Sequence, residues 1–170
     1  KKFDYVNATV DDIEIEDIAI ALSHICRFAG HLPEFYSVAQ HSVLCSQLVE
    51  PEFAFEALMH DAAEAYIGDV TAPLKALLPD YRAIEERVDR MIRKTYGLPE
   101  LHSREVKKAD LIMLATERRD FGLDDGTPWP ILEGVEPASM VIDPLPPHKA
   151  RELFLERYSD LLWTHHEDGV

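Results

Sequence analysis

Several acids and histidines stand on helical faces that are otherwise apolar. The stretch HDAAEAYIGD, residues 60–69, sets His60, Asp61 and Glu64 among Phe53, Ala54, Ala57, Leu58 and Ala65. Phe53, Ala57, His60 and Glu64 follow at steps of four, three and four, so they fall on or near one helical stripe. Upstream, His41 shares a face with Val38, Cys45 and Leu48; downstream, Asp110 shares one with Val106, Met113, Leu114 and Glu117. A buried ionisable group must neutralise, pair or bind a cation, and no Lys or Arg on these stripes is an obvious partner for them. A divalent ion held by His41, His60, Asp61 and Asp110 would resolve the conflict. Two imidazole nitrogens and two carboxylate oxygens suit Zn, Mn, Fe or Co better than Ca. Structural ion pairs are the other reading that spacing allows, because motifs of this kind also arise by chance.

The elements that must position these groups are helical. Ile15, Ile18, Ala19, Leu22 and Ile25 recur at three and four residues and predict a short amphipathic helix, broken by Gly30 and Pro33. A second helix is expected over residues 38–48. A third opens at Pro51, in the first turn, and runs to about Ile67, where Gly68 stops it. Pro73 starts a short turn of helix ending before Pro79. Residues 81–96 form a strongly amphipathic helix closed by Gly97, and Ser103 N-caps a helix from Arg104 to about Phe121. Six prolines in 122–147 exclude a long helix there; an irregular loop is expected, with short extended pieces near Ile131 and Val141. A last helix covers about 148–165. The expectation is an all-α chain, one domain over 1–170, with a single long proline-rich loop.

Composition narrows the function classes. The 170 residues carry 17 Lys and Arg against 32 Asp and Glu, a net charge of −15, which argues against a long nucleic acid as partner. An apolar fraction of 46% argues against disorder, and no window approaches the ~20 apolar residues that span a bilayer. Lys1 to Asp12 is polar and acidic, unlike a signal peptide, and Cys26 and Cys45 make no CxxC pair. The expectation is a cytoplasmic protein with both thiols as small buried apolar residues. His31 is expected in a loop or lining the site, His165 and His166 in solvent, and Trp129 and Trp163 as packing anchors.

His41, His60–Asp61 and Asp110 fill, in order, the H…HD…D signature, and the chain resembles the HD-domain metal-dependent phosphohydrolases. The segments RFAGHLPEFYSVAQHSV (27–43), ALMHDAAEAYIGDVTAPLK (57–75) and KKADLIMLATE (107–117) are similar to the nucleotide-acting branch, which includes bacterial 5′-deoxynucleotidases and small dATP triphosphohydrolases. The resemblance covers roughly residues 15–120.

It implies an HD-type helical bundle and a phosphohydrolase acting on (deoxy)nucleotides by attack of metal-activated water on a phosphate. His41, His60, Asp61 and Asp110 match the ligands of one divalent transition metal (Mn, Co, Fe or Zn), with an additional Mg ion where the substrate is a triphosphate. Glu64 and Asp69 match the carboxylates that position the water and handle protons. Arg27 matches a phosphate-holding arginine, and its planar fork suits phosphate oxygens better than a lysine would. Phe28 stands where relatives often carry Trp beside the deoxyribose, and Thr71 and Lys75 lie in a segment near the phosphate. The resemblance also implies self-association as a dimer or larger, with 81–96 and 122–147 as contact regions. A non-catalytic metal-binding HD module that binds nucleotides or protein partners is the alternative, and intact Glu64 and Asp69 speak against it.

Overall fold

The computed structural model describes residues 2–167, with side chains through residue 162. Its helices are α1 (Ile15–His24), α2 (Val38–Gln47), α3 (Pro51–Met59), α4 (Glu64–Ile67), α5 (Ala72–Lys75), α6 (Pro79–Thr95), α7 (Arg104–Asp120) and α8 (Pro147–Glu167). Single 3-10 turns occupy Val10–Asp12, Phe28–Gly30 and Pro130–Leu132. Among the described residues the β-structure is one isolated antiparallel bridge, Cys26 to Ser37. The chain is all-α, and no described helix is long and apolar enough to cross a membrane. Trp163, His165 and His166 lie outside the residues whose side chains are described.

α2 is the central helix. It packs against α1, α3, α7 and α8, and buries eight of its ten residues, from Val38 to Val43 and then Cys45 and Ser46. A helix enclosed on every side is a core element rather than a surface one. Ser37 opens it, its side chain accepting a hydrogen bond from the Gln40 amide at 3.1 Å. The main core joins α1, α2, α3 and α8 through Ile18, Leu22, Val43, Leu58 and Phe154; each such side chain contributes about 1.5–3 kcal/mol on burial. A second cluster, including Tyr36, Cys45, Met113, Phe121 and Ile142, forms where α2 meets α7. Of the ionisable candidates on α2, His41 lies along this seam.

Three local readings change. The helix expected over 51–67 is divided at residues 60–63. The amides of Ala62, Glu64, Ala65 and Tyr66 bond the carbonyls three residues back, of Met59, Asp61, Ala62 and Ala63. The backbone stays right-handed at His60 and Ala63, and the hydrogen bonding there is the tighter 3-10 pattern. The short helix ends at Lys75, before Pro79 as expected, but Pro79 itself begins α6, two residues ahead of the expected start at Tyr81. Ile131, expected in an extended piece, lies in the 3-10 turn Pro130–Leu132, because Pro130 fixes a φ suited to that turn.

The long loop is held by side chains rather than by a ladder. Asp120 accepts from the Ile142 amide at 2.8 Å, and Thr116 Oγ1 from the Ala138 amide at 2.8 Å. Gln40 donates to the Asp143 carbonyl at 2.7 Å and accepts from the Leu145 amide at 2.8 Å. Irregular backbone near a core must find such partners.

Candidate metal centre

His41 lies one turn into α2 and is fully buried. Its Nδ1 lies 2.6 Å from Glu117 Oε1, and donation there directs Nε2 toward Asp61 and Asp110, where it offers a lone pair once deprotonated. His60 is fixed in the same sense, with Nδ1 donating to the Ala57 carbonyl at 2.7 Å. The two Nε2 atoms then face two carboxylates. Asp61 Oδ2 lies 3.2 Å from His60 Nε2 and 3.7 Å from His41 Nε2. Asp110 Oδ1, carried by α7, lies 3.2 Å from His41 Nε2 and 3.9 Å from His60 Nε2. The four residues named from spacing are therefore brought together by α2, α7 and the tight turn after α3.

The donor set fits a divalent ion. His60 Nε2 is buried without a hydrogen-bond partner, although Asp61 is close. Metal–nitrogen and metal–oxygen bonds of about 2.0–2.2 Å would separate neighbouring donors by about 3–3.6 Å, close to the spacing here. Without an ion, protons must hold these atoms together. Burial opposes charge on His60, but the Asp61 carboxylate prevails and pushes its pKa up to about 10. Burial likewise opposes charge on Asp61, and the neighbouring His60 holds its carboxyl well below the ordinary range.

Behind the centre, Glu117 binds three partners at once. Its Oε1 accepts from His41 and, at 2.9 Å, from the Tyr36 hydroxyl; its Oε2 accepts from Arg27 Nη2 at 2.8 Å and Nε at 3.2 Å. Burial works against its charge, yet Arg27 and His41 lower its pKa. Arg27 is thus oriented on one edge, while its Nη1 approaches Asp61 Oδ2 at 3.8 Å. The loop carrying it is pinched at the Cys26–Ser37 bridge, and Arg27 and Tyr36 join across it through a 2.9 Å amide-to-carbonyl bond. Phe28 and Ala29 follow at φ 55° and 52°, a left-handed conformation that L-residues rarely adopt and that concentrates at functional sites. The Arg27 guanidinium lies 5.4 Å from the Phe28 ring centroid, and that ring is 6.4 Å from Trp129, which also receives Arg118 at 4.9 Å.

On the opposite side a cavity of about 310 Å³ opens, bounded by His60, Asp61, Glu64, Lys75, Asp89 and His102 among others. Burial raises the Glu64 pKa, and the charges of Asp61 and Asp69 raise it further; its Oε2 is buried without a hydrogen bond. Asp69 is also raised, by burial and Asp61, against the pull of Arg27. Lys75 lines the cavity but is paired with Glu85 at 2.5 Å. Thr71 is exposed at the N-terminal boundary of α5 and is not among the residues lining that cavity. His31 is exposed in the loop after Phe28–Gly30. A larger groove, about 460 Å³, runs along Arg104, Lys107, Lys108 and Leu111 on α7, and none of the site residues lines it.

Two residues exceed the sequence reading. Glu117, which the sequence places only on the Asp110 face, stands behind the ligands on His41 and Arg27, while Arg118 pairs with Asp124 and Arg119 with Asp120. Its spacing of seven from Asp110 was the usable signal. Cys45, expected as a small buried apolar residue, lies with its Sγ 3.4 Å from His41 Nε2. The donor atoms of His41, Cys45, His60 and Asp110 all fall within 4.8 Å of one another.

No family model matches the chain. It is 63% identical over 162 residues to the uncharacterized protein YfdR of Escherichia coli, an alignment covering 95% of this chain and 91% of that one. It is 30% identical over 184 residues to the uncharacterized protein RCAP_rcc00048 of Rhodobacter capsulatus, covering 95% and 92%.

Proposed function

We propose that this chain, which belongs to one family with Escherichia coli YfdR and Rhodobacter capsulatus RCAP_rcc00048, is a metal-dependent phosphohydrolase acting on deoxynucleotides. The observation that carries the reading is the convergence of two imidazole nitrogens and two carboxylates beside a partly buried, oriented arginine. His41, His60, Asp61 and Asp110 would hold the ion. When bound, it supplies Lewis acidity that eases deprotonation of an attacking water and polarises a phosphoryl oxygen.

The chain's own groups do the rest. Arg27, gripped by Glu117 through Nε and Nη2, offers Nη1 to the non-bridging oxygens and stabilises charge as it develops there. Glu64, which lines the same cavity as His60 and Asp61, is placed to take a proton from that water. Asp69 shares the proton with it and returns it to the leaving oxygen. Lys75 can exchange Glu85 for a phosphate. In an acidic cavity these cations, together with the ion, let an anionic substrate approach.

The test is a panel of deoxy- and ribonucleotide mono- and triphosphates with Mn²⁺ or Co²⁺. Release of phosphate from deoxynucleoside monophosphates, or of triphosphate from deoxynucleoside triphosphates, supports the reading and separates its two forms. Metal-loaded protein that turns over no nucleotide overturns it and leaves a binding module.

A further inference from the structure

The Cys45 thiol lies within 4.8 Å of donor atoms from three of the four metal-ligand candidates, His41, His60 and Asp110. It lies one helical turn after His41, so both side chains leave α2 on one face. Its Sγ is 3.4 Å from His41 Nε2, and Asp110 Oδ1 approaches that nitrogen at 3.2 Å from another direction. Cys45 is fully buried, and the four-residue cluster of His41, Cys45, His60 and Asp110 is compact. A metal–sulfur bond of about 2.3 Å and a metal–nitrogen bond of about 2.0 Å meeting at about 110° would separate S and N by about 3.5 Å. The second, independent sign of a ligand is His60 Nε2, enclosed, without a hydrogen bond and within the cluster. A thiol placed only to pack would not need to meet the one ring nitrogen of His41 that Glu117 leaves free.

We infer that Cys45 is a sulfur donor to the ion and makes this centre select a thiolate-preferring ion of the Zn²⁺, Fe²⁺ or Co²⁺ class over Mg²⁺ or Mn²⁺. The inference deepens, and rests on, the reading of His41, His60, Asp61 and Asp110 as a metal centre. Coordination forms a metal–sulfur bond and releases the thiol proton to solvent. Thiolate favours softer ions, whereas carboxylates and water suit Mg²⁺ and Mn²⁺. The two aspartates alone would leave the site far less selective.

The test uses metal-stripped full-length protein titrated with Co²⁺, read by absorption, for the wild type, Cys45→Ser and Cys45→Ala. The alanine variant guards against a misfolded serine variant, and circular dichroism checks both. The wild type is expected to show visible d–d bands and a near-ultraviolet sulfur-to-cobalt charge-transfer band. Both variants should keep the visible bands, lose the charge-transfer band and bind Zn²⁺ at least about tenfold more weakly, with Mn²⁺ affinity little changed. Visible bands without a charge-transfer band in the wild type overturn the role of Cys45 and leave the metal centre standing. A band that survives in both variants, arising from Cys26, overturns it equally. Wild-type protein that binds no Co²⁺ overturns the metal centre and the inference together.

Discussion

Glu56 and the His41–His60–Asp61–Asp110 group both carry charge into one helical bundle, yet their hydrogen-bonding capacity is used differently. Glu56 Oε1 accepts from Arg93 Nη2 at 3.1 Å and from the Ser103 amide at 2.8 Å, and Oε2 accepts from the Ser103 hydroxyl at 2.8 Å. Arg93 in turn donates through Nε to the Pro99 carbonyl. One anion meets one cation, both oxygens are occupied, and the cluster ties α3 and α6 to the residue that opens α7. Around His41 the count is the reverse. Carboxylates of Asp61, Asp110 and Glu64 crowd two imidazoles, and His60 Nε2 and Glu64 Oε2 have no hydrogen-bond partner. A saturated network is a structural latch. An unsaturated one, partly open at Asp61 and Asp110, holds its atoms ready for something else.

The strongest way to break this comparison is Asp61→Ala. It should abolish metal binding and turnover while circular dichroism stays native, checked by metal analysis of the purified protein and product release. Full turnover in metal-stripped protein would sink the hydrolase reading. Glu64→Gln sharpens the point, since Glu64 borders the centre without being a ligand in this scheme. It should retain the metal and lose kcat by about 10²- to 10⁴-fold; an unchanged kcat removes its proton-handling role.

The latch should respond in the opposite way. Glu56→Ala leaves the buried Arg93 without its counter-charge and should cost about 3–5 kcal/mol, measured by urea unfolding of metal-free protein. Its metal affinity should equal the wild type's, and a chelator should lower both melting temperatures by the same increment, as independent sites do. A variant of normal stability with weakened metal binding would show that the two clusters are one network.

What sequence could reveal follows the same division. His41, His60, Asp61 and Asp110 stand out because a polar group on an apolar stripe is a local anomaly, visible within a few turns. The all-α class is equally local, carried by periodicity and by Pro and Gly at helix ends. The tightened winding at residues 60–63 left no trace, because His60 and Ala63 keep helical dihedrals and only the hydrogen-bond partner changes. The Arg27–Glu117 pair spans ninety residues, and nothing in the intervening sequence encodes it. Glu56 and Arg93 escaped notice for the same reason. Cys45 carried a signal, its spacing of four from His41, but a lone cysteine on an apolar stripe matches a packing residue equally well.

The subtlest member of the unsaturated cluster is Glu117, because it belongs to both designs. Like Glu56, it is buried and its two oxygens are occupied; unlike Glu56, its partners are the residues that would touch an ion and a phosphate. An amide in its place has one acceptor oxygen and one NH₂ group, while Arg27 and His41 Nδ1 both present donors. Glu117→Gln therefore has two outcomes at the atomic level. The amide turns its NH₂ toward Arg27 and releases the guanidinium, or turns it toward His41 and drives the ring to the tautomer with its proton on Nε2, where a ligand needs a lone pair. Either way metal affinity or activity should fall about 10- to 100-fold, the usual cost of disturbing a residue behind a ligand. Titration separates the routes: weakened Co²⁺ binding reports the His41 tautomer, whereas normal binding with a raised KM for nucleotide reports the freed arginine. A variant unaltered in both would make Glu117 a second latch, no different in kind from Glu56.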